Sequence, residues 1–409
     1  MAIIVQKYGG SSVADVDRIR KVAGRVKQRR EEGHRLVVVV SAMGDTTDEL
    51  LALAKKVSAD PPRRELDMLL TCGERISMAL LSMVLHELSV PAISFTGSQS
   101  GIITDDAHAQ ARIVEVRPFR IRDELDRGKV VIVAGYQGVS YKREVTTLGR
   151  GGSDTTAVAL AAALDAEACE IYSDVDGVFT ADPRVVPDAS KLEELSYEEM
   201  QELASAGARV LNAQAVEFAR QKGIVIHARS SFGGGTGTAI RDSAAAEAGR
   251  VKAIAAESEL GVVSVRGAPA TIAELFDLLD ERGVRGRLFA YDAFAAGGGF
   301  VAVPLQDVHG AQRLEAELRT RFAENAVFRL GLGTVTCVGA GINADWSHLR
   351  RALAAAASLG ATVHGVHTSP LQMSLLVERS HLPELIRRLH AELVAAPSSQ
   401  MQQRDPGRD

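Results

Sequence analysis

Roughly the first 245 residues alternate short apolar runs with longer segments of helical periodicity. Between the apolar runs, Val16, Ile19, Val22 and Val26 recur at helical spacing, and Thr155–Leu164 consists almost entirely of small aliphatic residues. Continuous apolar strands that alternate with helices predict an α/β domain whose mainly parallel sheet is covered by helices on both faces, a three-layer αβα arrangement. The predicted strands are Ile3–Gln6, Leu36–Val40, Ala92–Phe95, Val130–Ala134, Ala168–Tyr172 and Ile224–His227.

The pattern changes near residue 245. Gly233–Thr238 is rich in glycine and closes the first domain, at 1–245, and the Ala-rich stretch after it predicts a linker at 246–256. Two similar units then each run strand, helix, strand, strand, helix, which predicts two small α+β, ferredoxin-like modules at 257–328 and 329–395. The polar tail, 396–409, is predicted to be disordered.

Composition narrows the class of protein. A content of 46% hydrophobic and 24% charged residues is ordinary for a globular protein, and a formal net charge of −5 gives no electrostatic case for a nucleic acid partner. A cytoplasmic protein without a membrane span is expected, because no basic region precedes a long apolar run at the N-terminus. Cys72, Cys169 and Cys337 are far apart, which favours buried free thiols over a disulfide or a zinc site.

The first candidate site is the turn after the first predicted strand, Lys7-Tyr8-Gly9-Gly10-Ser11-Ser12-Val13. Two glycines between a strand and a helix let backbone N–H groups approach an anion, and Lys7 adds a full positive charge. This is not the P-loop pattern, because the lysine precedes the glycines. The turn therefore indicates either a phosphate site or a plain tight turn.

Two further segments combine glycines with charged side chains. Thr147–Ala157 holds Arg150, which can bind a carboxylate through two hydrogen bonds, and Asp154, which could instead be a helix N-cap. Tyr172–Arg184 follows a buried strand and holds several carboxylates, but the spacing does not fit a calcium-binding loop. A loop that contacts a nucleotide fits this segment better.

Three further segments are candidates: the loop after the second predicted strand, the start of a later helix, and a sequence that fits a dinucleotide-binding fingerprint. Ser41–Thr47 follows the second strand and precedes a helix, and Glu74 lies at the start of another helix, where it could simply favour the helix dipole. Gly339–Ala344 fits a dinucleotide fingerprint, but the next strand does not end in the acidic residue that would bind the ribose. NAD binding is therefore not expected.

Taken together, the motifs of the first domain resemble those of the aspartate kinases, in the amino-acid-kinase family. The matching segments are 7–13 (KYGGSSV), 40–44 (VSAMG), 73–75 (GER), 95–97 (FTG), 149–157 (GRGGSDTTA) and 173–184 (SDVDGVFTADPR). The resemblance implies the amino-acid-kinase fold followed by two ACT modules. It also implies transfer of the γ-phosphoryl group of ATP to aspartate, the first step of lysine, threonine and methionine biosynthesis.

The resemblance assigns roles residue by residue. The residues that it implies for ATP binding are Lys7, Tyr8, Gly9, Gly10, Ser41, Ser173, Asp174, Phe179, Thr180, Ala181, Asp182, Pro183 and Arg184. Those implied for aspartate binding are Thr47, Glu74, Arg150, Gly151, Gly152 and Ser153. The catalytic residues would be Lys7, Asp154 and Arg209, although Arg209 stands where the family usually has a lysine.

The implied chemistry agrees with these side chains. A carboxylate nucleophile with a reference pKa of about 3.9 is ionised at pH 7, so the reaction needs positioning and positive charge rather than a general base. Mg²⁺ is expected to be held mainly by ATP oxygens and water, without a metal site built from protein residues. Two alternatives stay open: another amino-acid kinase, such as one acting on acetylglutamate, and a ligand-sensing regulator that has lost catalysis.

Assembly and regulation are further expectations. The chain is expected to form either a homo-oligomer, as a dimer through the ACT modules, or an assembly with a separate small regulatory subunit. ACT modules of feedback-inhibited relatives typically carry an Asp-Lys-Pro-Gly-like turn and a polar strand, whereas Arg266–Thr271 and Val284–Tyr291 hold neither pattern, and Asn343–Trp346 also lacks Pro-Gly. Feedback inhibition is therefore expected to be weak or altered.

Overall fold

The computed structural model describes residues 1–149, 151–208, 210–242, 249–284, 286–292, 298–305, 308 and 311–395. Arg150, Arg209 and the predicted tail, 396–409, lie outside the described residues. The chain forms two compact units. The first comprises Met1–Val178, Lys191–Ala204 and Arg209–Ala245, and the second comprises Phe179–Ser190, Ser205–Ala208 and Ala246–Asp409.

The first unit is built on a mainly parallel sheet. Within the described residues its order is β10-β12-β11-β9-β1-β2-β6-β3, and the strands from β11 to β3 run parallel. Its strands are β1 (Ile3–Tyr8), β2 (Arg35–Val40), β3 (Ala92–Phe95), β6 (Val130–Ala134), β9 (Ala168–Ser173), β10 (Glu194–Leu195), β11 (Ile226–Ser230) and β12 (Thr238–Ile240). A smaller sheet beside it contains β4 (Ile102–Thr104), β5 (Ile113–Val116), β7 (Gln137–Ser140) and β8 (Val145–Thr147).

Helices pack on this sheet as the apolar pattern predicts. On α1, Ile19, Val22 and Val26 are buried in one core cluster with alternate residues of β1, β2 and β6 and with α4. The small-residue helix α6 is buried almost all round and contacts β1, β2 and β9. The helices are α1 (Val16–Glu31), α2 (Thr46–Val57), α3 (Arg63–Leu70), α4 (Cys72–Glu87), α5 (Phe119–Asp126), α6 (Gly152–Ala163), α7 (Tyr197–Ser205) and α8 (Ala213–Lys222). The predicted α/β class is confirmed.

The helical stretch Arg63–Glu87 is long and apolar. By length and composition alone this stretch could cross a membrane, but half of its most apolar window is buried inside the protein, as in a core helix.

Cys169 and Cys337 are buried free thiols, whereas Cys72 is exposed at the start of α4. The expectation that all three thiols are buried is therefore wrong for Cys72.

The second unit contains two α+β modules that share two long strands. Strand β13 (Ala253–Arg266) pairs with β16 (Ala326–Val338) along almost its whole length. The described sheet has the order β14-β15-β13-β16-β18-β17, with β14 (Leu288–Asp292), β15 (Gly298–Pro304), β17 (Gly365–Thr368) and β18 (Gln372–Glu378). Its helices are α9 (Pro269–Glu281), α10 (Ala311–Phe322), α11 (Ser347–Ser358) and α12 (Leu382–Leu389).

The shared strands change the predicted module boundaries. Residues 260–266 of β13 pair with β15, while residues 253–257 pair only with the last part of β16, which in turn pairs with β18. The first module is therefore inserted between the first strand of the second module and the rest of it, and β13 begins inside the predicted linker. The sequence pattern missed this because Glu257, Ser258 and Glu259 interrupt the apolar run near a bulge.

A short piece of the predicted catalytic domain also belongs to the second unit. In Phe179–Ser190, the apolar side chains of Ala181 and Val186 lie in the core cluster formed by β13, β16, β18, α11 and α12. Thr180 accepts a backbone hydrogen bond from Ile254 (2.8 Å), and its hydroxyl lies 2.9 Å from Nε2 of His390. The predicted continuous range 1–245 is thus divided between the two units.

Candidate active site

The carboxyl ends of the parallel strands form the candidate site in the first unit. The chain places β2 on one side of β1 and, much later, β9 on the other side, so the crevice between β1 and β9 is the switch point where open α/β sheets bind ligands. At this crevice the Gly9 N–H donates to the carbonyl of Tyr172 (3.1 Å). The predicted phosphate turn and the start of the predicted nucleotide loop are therefore neighbours.

Lys7 and Asp154 form a nearly buried ion pair at this edge. Lys7 Nζ lies 2.7 Å from Asp154 Oδ1, and the side chains are only 12% and 11% exposed. The N-cap position of α6 is Gly151, so Asp154 lies in the first turn of the helix and does not occupy the cap. The pairing with Lys7 explains the position of Asp154 better than the capping alternative does.

The turns after β1 and β2 are packed closely enough to require glycine. A Cβ atom on Gly10 would lie 3.0 Å from the Ala42 carbonyl oxygen, and Gly44 donates its N–H to Gly10 (3.1 Å). Ser41 donates its N–H to the Tyr8 carbonyl (3.0 Å). Tyr8 is fully buried and its ring stacks on Tyr172, so its side chain is packed in the core and does not face a ligand.

Glu74 is a buried carboxylate, and only one of its two oxygens accepts a hydrogen bond from the described residues. Its Oε1 accepts the Ala42 N–H (3.3 Å), but none of the described residues donates a hydrogen bond to its buried Oε2. Desolvation raises the pKa of Glu74 to about 7. Gly73 permits this position, because a Cβ there would lie 2.8 Å from the Cβ of Ala42. This oxygen can accept a hydrogen bond from a positively charged group of a ligand.

The turn between β8 and α6 carries the predicted substrate residues. Gly151 has φ +73°, and a Cβ there would lie 2.2 Å from the side-chain nitrogen of Asn212. Ser153 is buried, and its Oγ lies 2.7 Å from where a Cβ on Gly135, after β6, would stand. The structure thus brings Gly151, Gly152 and Ser153 to the edge where β6 ends. Sequence reasoning missed Asn212, although an Asn that precedes a helix was a visible signal.

The predicted nucleotide residues are divided between the units. Ser173 ends β9 and Asp174 follows it in the first unit, whereas the second unit contains Phe179, Thr180, Ala181, Asp182, Pro183 and Arg184. Asp182 and Arg184 form a double hydrogen bond that lowers the pKa of the Asp182 carboxyl. Thr180 and Ala181 are buried, so their side chains are committed to the second unit's core. Thr47 is half-buried in the first turn of α2.

Among the described residues no group of three His, Cys, Asp or Glu side chains could hold a metal ion by itself. Gly339–Ala344 follows β16, whose pairings with β13 and β18 are antiparallel, so this fingerprint lies outside any parallel βαβ unit.

Comparison with known proteins identifies the family. Residues 2–230 match the amino acid kinase family, so the chain belongs to that family and is a kinase. Aspartokinase of Thermus thermophilus is 42% identical over 408 residues, which cover 95% of this chain and 98% of the relative. Aspartokinase of Mycolicibacterium smegmatis is 44% identical over 402 residues, which cover 95% and 96%. Within the family, the chain belongs to the aspartokinases.

A solved structure shows the same fold. The crystal structure of E. coli aspartokinase III in complex with aspartate and ADP matches with a TM-score of 0.82 at 23% identity, and the match covers 96% of this chain and 99% of that chain. The predicted family and fold are confirmed, including the further α/β domains after the kinase domain.

Proposed function

We propose that this chain transfers the γ-phosphoryl group of ATP to the side-chain carboxylate of L-aspartate, giving 4-phospho-L-aspartate. The observation that carries the proposal is the Lys7–Asp154 pair at the β1–β9 crevice (2.7 Å), in the same unit as the uncompensated carboxylate of Glu74. Membership of the aspartokinases supports the same reaction.

The glycine turns after β1 and β2 are proposed to bind the phosphate groups of ATP. The Lys7 ammonium, held by Asp154, would stabilise charge on the transferred phosphoryl group, and the Gly10 N–H would bind a phosphate oxygen. Ser41 would bind phosphate from the neighbouring turn. In this proposal Arg209 supplies the charge of the family's lysine.

Nucleotide binding is assigned to the segment after β9. Ser173 and Asp174 are proposed to contact the nucleotide, and so are Phe179–Arg184. Mg²⁺ would arrive on ATP and keep several waters, because it dehydrates reluctantly and is usually bound through substrate phosphates. When bound, it would neutralise part of the phosphate charge.

The substrate side is assigned to Glu74 and the turn before α6. Glu74 Oε2 would accept a hydrogen bond from the substrate ammonium, while Arg150, Gly151, Gly152, Ser153 and Thr47 would hold its carboxylates. An acetylated amino group carries no charge to pair with Glu74. This observation favours aspartate over acetylglutamate. Because the attacking carboxylate is already ionised, none of these residues has to act as a base.

A coupled assay of ADP release tests the proposal. We expect turnover with ATP and L-aspartate, and trapping of the acyl phosphate as a hydroxamate when hydroxylamine is added. We expect only background release with N-acetylglutamate. Equal turnover on both substrates, or none on aspartate, would refute the proposal, and the second result would favour a regulator without catalysis.

Assembly and location complete the proposal. A homodimer through the second unit is supported by edge strand β14, where Phe289 is 46% and Tyr291 37% exposed. Light scattering on the purified chain should give twice the monomer mass, and Phe289→Asp should reduce it to the monomer. A monomer that binds a separate small subunit would support the alternative assembly. We place the enzyme in the cytoplasm, where ATP and aspartate are available.

A further inference from the structure

Asp67 is a fully buried carboxylate to which the proposed mechanism gives no role. It lies on α3 with 0% exposure. Among the described residues, the Ala109 N–H donates to it at 3.0 Å, the Thr147 hydroxyl donates at 2.6 Å, and His108 Nδ1 lies 2.7 Å from its other oxygen. Burying a carboxylate is costly unless donors surround it. The chain therefore maintains a connection between α3 and two distant segments.

Both segments hold the turn that leads to the proposed substrate residues. Thr147 ends β8, two residues before Gly149, and its carbonyl accepts the Ala111 N–H at 2.8 Å. Gly149 has φ +75°, and a Cβ on it would lie 3.4 Å from the Ala109 carbonyl oxygen. Asp67 thus contacts both the strand end that leads to Gly149 and the segment at Ala109 that lies against Gly149.

The backbone at Ala109 shows that this contact imposes a conformation. Ala109 has φ +71°, in the left-handed region that residues other than glycine rarely adopt. Its N–H is the group that donates to Asp67. Strained backbone persists where surrounding contacts determine it, and such places are common beside functional sites.

The other end of the connection leads to Glu74. Helix α3 ends at Leu70, and α4 begins at Cys72, so Glu74 follows Asp67 by two helical turns. Gln137 donates to the carbonyl of Thr71, the residue between the two helices, at 3.2 Å. The two helices are therefore held against the smaller sheet just before Glu74.

We propose that Asp67 is a positioning residue that sets the distance between the ammonium-binding carboxylate of Glu74 and the carboxylate-binding turn that begins at Gly149. This inference rests on the proposed function. Aspartate and glutamate carry the same charged groups and differ by one methylene, so this distance decides which acidic amino acid is accepted. Asp67 acts through Thr147 and Ala109 and does not touch the substrate.

Adjacent threonines on β8 provide a matched test. Thr146 and Thr147 are both fully buried, but the Thr146 hydroxyl pairs with that of Thr104 (2.6 Å), whereas Thr147 donates to Asp67. Thr147→Val should raise KM for aspartate about tenfold and narrow the preference for aspartate over glutamate, with kcat and KM for ATP within about twofold. Thr146→Val should lower the melting temperature similarly and leave KM for aspartate unchanged. Thr147→Ser, which keeps the donor, should restore KM.

The outcomes separate this inference from the proposed function. If the wild type does not phosphorylate aspartate, the proposed function fails. If it does, equal KM values for Thr146→Val and Thr147→Val, or a lower melting temperature alone for Thr147→Val, would overturn the positioning role. Should Thr147→Val not fold, His108→Ala removes a donor whose side chain is 20% exposed, and it should raise KM for aspartate severalfold. An unchanged KM in that variant would also overturn the inference.

Discussion

Replacing Glu74 by Gln should make aspartate binding weak and insensitive to pH. Only the ionised carboxylate can pair with the substrate ammonium, and burial raises the pKa of Glu74 to about 7. The ionised fraction of the free enzyme then falls from ~0.9 at pH 8 to ~0.1 at pH 6, so KM for aspartate should rise about tenfold as the pH falls between these values. At pH 8 the Gln variant should show a KM roughly 10 to 100 times that of the wild type, the range expected for a lost charge-assisted hydrogen bond.

Glu74→Gln should also change how the free energy of unfolding depends on pH. Because the folded-state pKa of Glu74 lies above the unfolded value, the folded protein binds the proton more tightly, and stability falls as the pH rises from about 4.5 to 7. Glu74→Gln should remove this loss, which is of order 3 kcal/mol at pH 8. The variant should therefore be more stable than the wild type at pH 8 but not near pH 4.5, as measured by urea unfolding.

Steady-state kinetics between pH 6 and 8, with aspartate and ATP varied separately, tests whether ionised Glu74 binds the ammonium group of aspartate. The control is Glu199→Gln, which changes an equally buried glutamate whose Oε2 accepts the Ser196 N–H in the first turn of α7. That variant should keep the tenfold pH dependence. If Glu74→Gln also keeps it, or if KM for ATP rises while KM for aspartate does not, the assignment of Glu74 is wrong.

Four further predictions concern single features. Lys7→Ala should lower kcat at least about 100-fold with an unchanged far-UV spectrum, because a charge aimed at the transition state is lost; turnover within tenfold of wild type would contradict this role. Asp154→Asn should also lower kcat. If it changes only the melting temperature, Asp154 has a structural role and no catalytic one. Gly151→Ala should cost about 1 to 3 kcal/mol of stability, since φ is +73° and the new Cβ would meet Asn212, whereas Gly24→Ala, in open space on α1, should not destabilise. Lysine and threonine should inhibit weakly, because the turn after β13 lacks the typical effector-binding pattern; micromolar binding by calorimetry with strong inhibition would refute this.

Local patterns predicted the first unit well because its strands are continuous apolar runs with glycine turns at their ends. The position of Glu74 at the start of a helix is visible in sequence, whereas its raised pKa is not, since burial depends on how closely Gly73 approaches Ala42. The first part of strand β13, before Gly261, was missed because polar residues at its bulge interrupt the apolar run. Contacts such as that of Asp67 with Thr147, 80 positions apart, leave no local pattern at either residue.

The division of the chain between the two units limits how the gene can be cut or recombined. The chain passes from one unit to the other after residues 178, 190, 204, 208 and 245. A fragment ending at 245 would leave Ala181 and Val186 without the core in which they are buried. A chimera that joins this kinase half to another relative's regulatory half at one crossover would pair that segment with a foreign surface. Successful exchange therefore requires Phe179–Ser190 and Ser205–Ala208 to travel with the regulatory half, so the sequence must be divided at several positions instead of at one.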